Sequence, residues 1–191
     1  MTMRKSMKQW ERQDGIAFLR SIGVREGHGL LDFGCRVGHY SIPAAFAVGR
    51  SGIVYALDKA AKPLDELMKK AGKYGLQNIK AIRTSGQLDI DIESRSIDIA
   101  LLYDVLHYFT RSQRRVLFRE VFRVLKPTGL LSVYPKHTVE DWPSGEFKDL
   151  RIVDIEQEIC ECGFRTGGLY EAIVSHDDAP VPGHVVNFGK Q

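Results

Sequence analysis

The sequence has few of the features that mark secreted, membrane-spanning or nucleic-acid-binding proteins. Its 191 residues include three cysteines, an odd number that cannot form a closed set of disulfides. No apolar run approaches the roughly 20 residues that a membrane span needs, and the first residues lack the apolar core of a signal peptide. The 27 basic and 24 acidic side chains leave a net charge of +3, too small to indicate a nucleic-acid binder. We therefore expect a reduced, cytoplasmic protein without a membrane partner, and the charge balance does not favour a nucleic-acid partner.

The composition is that of a folded chain, with 43% apolar and 27% charged residues. We expect a single domain over 1–191 that begins with a helical segment within 1–27 and is helical over about 6–22. From about residue 28, short apolar runs alternate with helical patterns. The predicted strands are 30–33, 53–57, 79–82, 97–102 and 130–134, and the predicted helices are 39–48, 63–74, 111–125 and one marked by Ile152, Ile155 and Ile159.

This alternation predicts an α/β fold of the doubly wound, Rossmann-like kind, with a mostly parallel sheet and helices on both faces. Two further strand patterns, near 166–174 and 184–188, have no helix between them, so we expect an antiparallel hairpin at one edge. A segment containing Pro180, Pro182 and Gly183 is the predicted turn of that hairpin.

The loop after the first predicted strand is the candidate ligand site, because open α/β sheets bind ligands at the carboxyl ends of their strands. Asp32 lies just before that loop in the sequence. Gly34 and Gly38 allow a tight turn and a close approach of the backbone to a ligand. Asp58 ends the second strand 20 residues after Gly38 (58 − 38). A carboxylate at that position can accept hydrogen bonds from both ribose hydroxyls.

The same loop does not match the phosphate-binding patterns. Arg36 and His39 stand where a dinucleotide fingerprint has glycines, and this loop contains no lysine followed by serine or threonine as in a phosphate loop. The Asp32 carboxylate would repel a phosphate but can accept from an amino group. The loop therefore favours a nucleoside ligand that carries an amino group, and disfavours a nicotinamide-dependent oxidoreductase.

In its motifs the chain resembles the class I S-adenosylmethionine-dependent methyltransferases of the small-molecule type, similar to those of quinone biosynthesis. That family's first motif is an acidic residue followed, one position on, by Gly-x-Gly-x-Gly, which Asp32, Gly34 and Gly38 match. The resemblance extends over about residues 28–175. Its other matching segments are Asp58, residues 97–107, residues 123–129 and residues 162–164.

The resemblance implies an α/β methyltransferase that moves a methyl group from S-adenosylmethionine to a small molecule by in-line displacement, with S-adenosylhomocysteine as product and no metal. The residues that it implies for cofactor binding are Asp32, Gly34, Cys35, Gly38, Asp58, Lys59, Ser85, Gly86 and Tyr103. His107 is a candidate general base, and Tyr103 is a second catalytic candidate. A packing role competes for His107, a position at the rim of the sheet without a role competes for Tyr103, and packing is the favoured role of His39.

Two positions depart from the family pattern. Arg36 replaces the middle glycine, and a positive φ there would add strain of about 1 kcal/mol or more. Ser85 stands where the family often has an aspartate that accepts from the adenine amino group. These departures keep a second hypothesis open, namely a methyltransferase-like subunit that binds the cofactor without turnover. A third hypothesis is a nucleic-acid or protein methyltransferase.

The polar loop 135–150 is the expected substrate loop. It contains Trp142 and Phe147, and Tyr134 precedes it, so an apolar or planar substrate is favoured. The same aromatic residues suit packing on the core. Because the chain has little other substrate-binding apparatus, we expect an open site or one completed by a second subunit in a homodimer.

Overall fold

The computed structural model describes residues 7–191, so the first six residues of the predicted N-terminal helical segment lie outside the described part. The chain divides into two compact units, Met1–Gly86 with Ala172–Pro182, and Gln87–Glu171 with Gly183–Gln191. The prediction of a single domain over 1–191 stays a prediction. Within the described residues, no helix is long and apolar enough to cross a bilayer.

Over residues 10–191, five α-helices and seven strands follow one another in nearly the predicted order. A π-helical turn, Trp10–Asp14, leads into the first of these helices. The helices are α1 (Gly15–Ser21), α2 (Ser41–Val48), α3 (Ala61–Lys73), α4 (Arg111–Val124) and α5 (Ile152–Cys160). The strands are β1 (Gly29–Phe33), β2 (Ile53–Asp58), β3 (Ile79–Arg83), β4 (Ile97–Tyr103), β5 (Leu125–Tyr134), β6 (Phe164–His176) and β7 (Ala179–Lys190).

In the first unit, three parallel strands lie in the order β3, β2, β1. Phe33 pairs with Leu57, and Asp58 pairs with Arg83, so the carboxyl ends of all three strands meet at one edge. The apolar stripe of α3 includes Leu67, which is fully buried. Gly75, with φ +68, follows the end of α3 as its sequence position predicts.

In the second unit, β4 and β5 are parallel, and β7 is antiparallel to β5 in the order β4, β5, β7, β6. Helix α4 starts at a capping box, in which the Thr110 side chain accepts from the Gln113 backbone and the Gln113 side chain accepts from the Thr110 backbone. The inward residues Leu117 and Val121 are fully buried, as predicted. The α/β class with mixed strand pairing and antiparallel final strands is thus confirmed.

The turn between the last two strands differs from the prediction. The chain reverses at Asp177 and Asp178, with φ values of 45° and 60°, while Pro180 and Pro182 lie within β7. A two-residue hairpin turn of type I′ needs positive φ at both central residues, which aspartate tolerates better than most side chains. The predicted turn was based on proline and glycine, and this property of the Asp177-Asp178 pair was not taken into account.

Candidate functional site

The predicted ligand loop lies at the carboxyl end of β1, and its backbone folds back onto β2. The N–H groups of Gly34 and Cys35 both donate to the carbonyl of Leu57, at 2.8 and 3.0 Å. Gly38 donates to the carbonyl of Cys35 at 2.9 Å. Gly34 and Gly38 have φ values of 81° and 84°, as the sequence led us to expect of loop glycines.

Gly38 is also required for packing. A Cβ atom built on it would lie 2.3 Å from Cδ1 of Leu67 in α3, far inside van der Waals contact. The loop backbone can therefore rest on α3 only without a side chain at this position. The second motif glycine thus serves the close approach of loop and helix as well as the turn.

Asp58 organises the loop from the end of β2. Its Oδ2 accepts from the backbone N–H of Arg36 at 2.9 Å, and its Oδ1 accepts from the N–H of Ala60 at 2.8 Å. A carboxylate has about four lone-pair sites, so both oxygens can still accept from a ligand hydroxyl. The predicted ribose-binding acid therefore lies against the predicted cofactor loop.

Arg36 adopts the strained conformation anticipated for it, with φ 47°. Its side chain is 61% exposed, and its Nη1 lies 4.0 Å from Oδ1 of Asp177. The guanidinium thus extends into solvent toward a carboxylate of the same chain. This orientation keeps the Arg36 side chain out of the loop.

Asp32 is buried and binds the start of α2. Its Oδ2 accepts from the hydroxyl of Ser41 at 2.5 Å. Burial raises the pKa of Asp32 to about 6. The hydrogen bond from Ser41 acts in the opposite direction, and the negative charge of Asp58 raises the pKa further. The carboxylate therefore contacts the first residue of α2, and its ionised form would be stabilised by a cationic ligand.

The remaining predicted cofactor residues of this unit differ in exposure. Lys59, Ser85 and Gly86 are exposed, and Gly86 has φ 88°. Cys35 is buried, and that burial, followed by the charges of Asp32 and Asp58, raises the pKa of its thiol. A thiol that resists ionisation is a poor nucleophile, so the Cys35 side chain is not suited to covalent catalysis.

A buried acidic residue near this loop escaped the sequence analysis. Glu11 accepts from Lys70 Nζ at 2.7 Å and from the hydroxyl of Tyr74 at 3.0 Å. His39 lies 3.7 Å from Glu11 and bonds to Asp178 at 2.7 Å. His39 thus packs among these groups, as favoured from the sequence. The position of Glu11 directly after the buried Trp10 was the available signal.

In the second unit, Tyr103 is held in a buried hydrogen-bond chain. The hydroxyl of Ser132 donates to Oδ1 of Asn187 at 2.7 Å, so its oxygen accepts from the hydroxyl of Tyr103, also at 2.7 Å. Tyr103 is only 5% exposed. The structure places this hydroxyl against β5, whereas the sequence suggested a residue at the rim of the sheet. Its ligand and catalytic roles stay predictions.

His107 lies in a 3₁₀ turn, Leu106–Tyr108, and is buried. Its Nδ1 lies 3.6 Å from Oδ1 of Asp104, and its ring centroid lies 4.4 Å from that of His137. His107 was a candidate from the sequence, and Asp104 lies in the matching segment 97–107 without a predicted role. The position of His137 in the loop gave no signal.

The aromatic residues of the predicted substrate loop divide between core and solvent. Phe147 and Tyr134 are buried, whereas Trp142 is 81% exposed. The guanidinium of Arg114 lies 5.0 Å above the Phe147 ring. Trp142 is therefore the aromatic side chain of 135–150 that is available to a ligand, and the other two serve packing.

Arg114 is buried, although the arginines of α4 recur at the spacing of a solvent-facing helix surface. It is 2% exposed and makes a bidentate ion pair with Glu158 of α5, with both N–O distances 2.7 Å. Its Nη1 also donates to the carbonyl of Phe109 at 2.6 Å. Helical spacing did not distinguish this buried arginine from its exposed neighbours.

Comparison with known proteins agrees with this geometry. Residues 30–129, just over half of the chain, match the family model described as "Methyltransferase domain". The structure resembles that of a SAM-dependent methyltransferase from Aquifex aeolicus, with a TM-score of 0.76, 22% identity and 98% of each chain covered. At that identity the likeness establishes the fold.

Two curated relatives match shorter parts of the chain. A demethylmenaquinone methyltransferase of Lactobacillus johnsonii is 29% identical over 116 residues, which are 61% of this chain and 47% of the relative. A probable cobalt-precorrin-6B C(15)-methyltransferase of Saccharolobus solfataricus is 35% identical over 60 residues, 31% of this chain and 30% of the relative. The match thus spans less than half the length of either relative.

The loop with the glycine motif lies between β1 and α2, and an acidic residue ends β2. Together with this fold, these features define a methyltransferase. The chain belongs to the methyltransferase domain family. Within it, the fold is that of the class I S-adenosylmethionine-dependent enzymes, and the resemblance seen in the sequence is confirmed.

Proposed function

We propose that this protein is an S-adenosylmethionine-dependent methyltransferase that acts on a small molecule. The observation that carries the proposal is the contact of Asp58 with the loop after β1, through the backbone N–H of Arg36 at 2.9 Å. That contact joins a carboxylate suited to ribose and a glycine-containing loop in one place. The family match over residues 30–129 supports the same function.

The residues of the first unit fit such a cofactor. Asp58 offers its spare lone pairs to the ribose hydroxyls. Asp32, ionised above its raised pKa of about 6, attracts the amino group of the methionine part. Gly34, Cys35 and Gly38 present backbone, and Lys59, Ser85 and Gly86 border the exposed strand ends. When bound, S-adenosylmethionine supplies a methyl group on a sulfonium, which is already a strong electrophile.

In this reaction the protein must chiefly position the methyl acceptor and exclude water. The acceptor class is proposed from the relatives, whose names state demethylmenaquinone and a cobalt-precorrin as their substrates. Trp142, the exposed aromatic side chain of loop 135–150, suits a planar acceptor of that kind. The roles of His107 and Tyr103 in the reaction stay predictions.

Calorimetric titration with S-adenosylmethionine and with S-adenosylhomocysteine tests cofactor binding. We expect binding that Asp58→Asn weakens at least about tenfold, because a charge-assisted acceptor becomes a neutral one. Asp65→Asn, an exposed aspartate of α3, is the matched control and should leave the affinity unchanged. Folded wild-type protein that binds neither ligand at millimolar concentration would refute the proposal.

The Arg36→Gly variant and the wild type together distinguish an active methyltransferase from a subunit that binds the cofactor without turnover. Since the Arg36 side chain points to solvent, we expect this variant and the wild type to bind the cofactor within a fewfold of each other. Turnover should then appear with quinone or tetrapyrrole acceptors. Cofactor binding without turnover of any acceptor, including nucleic acid and protein, would favour a subunit that only binds the cofactor.

We also propose a cytoplasmic location, in keeping with three cysteines that are all free in the structure. A homodimer that completes the substrate site stays a proposal, and the molecular mass in solution tests it.

A further inference from the structure

From the geometry of the second unit, we infer a divalent transition-metal site formed by Asp104, His107 and His137. The donor atoms, one from each residue, all lie within 4.8 Å of one another. Oδ1 of Asp104 is 3.6 Å from Nδ1 of His107 and 3.6 Å from Nε2 of His137. This inference is independent of the proposed function, and it departs from the expectation that the protein uses no metal.

The two 3.6 Å separations suit a shared ion better than direct bonds. A nitrogen and an oxygen that far apart do not form a hydrogen bond. Nitrogen and oxygen ligands of tetrahedral zinc lie about 2.1 Å from the metal, which puts them about 3.4 Å from one another. Asp104 Oδ1 therefore stands at ligand spacing from both imidazole nitrogens.

The tautomer of His137 presents the correct atom. Its Nδ1 lies 3.0 Å from the carbonyl oxygen of Trp142. A carbonyl can only accept, so Nδ1 carries the proton, and the lone pair of the neutral ring is on Nε2, directed at Asp104. Metal-bound histidines commonly donate their other ring nitrogen to a carbonyl or carboxylate in this way.

The backbone fixes two of the three ligands. Asp104 and His137 have φ values of 53° and 73°, conformations that few non-glycine residues adopt. His107 is 5% exposed, whereas the side chains of Asp104 and His137 are 20% and 17% exposed. The ligand atoms are thus held in a shielded position that an ion from solvent can still reach.

The surrounding charge favours a cation. The buried ammonium of Lys136 forms a short ion pair with Asp141, which neutralises it. The Lys136 charge therefore does not oppose a cation beside the carboxylate of Asp104.

The donor set indicates the class of metal and ligand. Two imidazoles and one carboxylate, without a thiolate, suit Zn²⁺, Fe²⁺ or Co²⁺ better than Mg²⁺ or Ca²⁺. Three protein ligands leave at least one coordination position open, as in catalytic rather than structural metal sites. An oxygen or nitrogen donor of a small molecule is the class of ligand that would fill that position.

The test is titration of the metal-free full chain with Zn²⁺ by calorimetry and with Co²⁺ by visible absorption, without S-adenosylmethionine. We expect one ion per chain, an increase in Tm with the metal, and Co²⁺ bands typical of nitrogen and oxygen ligands. Because the readout is metal binding alone, failure of the proposed methyltransferase function would leave this result unaffected.

Asp104→Asn and His137→Asn are the informative variants, because asparagine tolerates a positive φ. Each should weaken binding at least about 100-fold, beyond the usual effect of changing a residue that only orients a ligand. The matched control is His184→Gln, since His184 lies 3.7 Å from the 90% exposed carboxylate of Glu171 and should not contribute. Three results would each overturn the site. They are folded protein that binds no stoichiometric metal, an Asp104→Asn variant with wild-type metal affinity, and an equal loss of metal affinity in His184→Gln.

Discussion

The carboxylate of Asp58 at the end of β2 accepts the backbone N–H of Arg36, 22 residues earlier in the chain, at 2.9 Å. This bond holds a non-glycine residue at φ 47° in the middle of the ligand loop. The strain that the sequence predicted at Arg36 is therefore offset by a charge-assisted hydrogen bond. One acidic residue both shapes the loop and remains available to a ligand.

The contact between Gly38 and Leu67 predicts a large effect of a small substitution. Gly38→Ala should lower the free energy of unfolding by about 2–4 kcal/mol, because the added methyl overlaps Leu67 Cδ1 and the φ of 84° is unfavourable for alanine. Urea denaturation measures the change. Gly72→Ala is the control, since no atom lies within 4 Å of the new Cβ in α3. It should stabilise the protein by about 0.5–1 kcal/mol, and equal losses in both variants would contradict the packing account.

The buried Asp32 predicts a pH-dependent stability difference. Its folded pKa of about 6 lies above the unfolded value of 3.8, so its favourable contribution is complete below about pH 4 and is lost as the pH rises through 6. Asp32→Asn removes the ionisation and keeps an oxygen acceptor for Ser41. At pH 8 the variant should be more stable than wild type by about 3 kcal/mol, since one pKa unit corresponds to about 1.4 kcal/mol.

Denaturation of both proteins from pH 4 to pH 8 gives that difference directly, because contributions of other groups cancel between them. The advantage of Asp32→Asn should shrink toward zero at pH 4. A difference that is independent of pH would show that Asp32 does not titrate in this range.

The ion pair between Arg114 and Glu158 predicts a strong loss when one partner is removed. Glu158→Gln should destabilise the protein by about 3–5 kcal/mol, because the guanidinium stays buried without its counter-charge. The double variant Arg114→Met with Glu158→Leu should recover most of that loss. Thermal and urea unfolding measure both changes.

Lys148→Met is the matched control for an ion pair. Lys148 lies 3.9 Å from Asp149, and the two side chains are 69% and 83% exposed. Solvent screening makes such pairs contribute little, so its unfolding should match that of the wild type. A Glu158→Gln variant as stable as this control would contradict the proposed importance of the buried pair.

The sequence predicted the elements with local signals well. The glycine after α3 and the apolar stripes of the helices lie where the sequence pattern indicates, with most boundaries shifted by a few residues. The exceptions are β5 and β7, which start at Leu125 and Ala179 and not at 130 and 184. The reversal at Asp177 and Asp178 was missed because two consecutive residues with positive φ are not apparent from composition alone.

Part of the candidate site was also predictable. Asp32, Gly34, Gly38 and Asp58 come together because each follows or ends a parallel strand, and those carboxyl ends meet at one edge. Glu11 and Arg114 look like surface charges in their helical patterns and are buried through long-range pairs. His137 joins Asp104 and His107 from a loop that has no periodic pattern.

The sequence by itself determined the α/β class, the position of the ligand loop and the family resemblance, because strand periodicity, glycine positions and strand-end acids are local properties of the chain. The tertiary structure decided which charges are buried, where Arg36 points, and that Asp104 and two histidines share one small volume. Those outcomes depend on side chains brought together across 30 or more residues, as with His107 and His137, and a local pattern carries no information about such encounters.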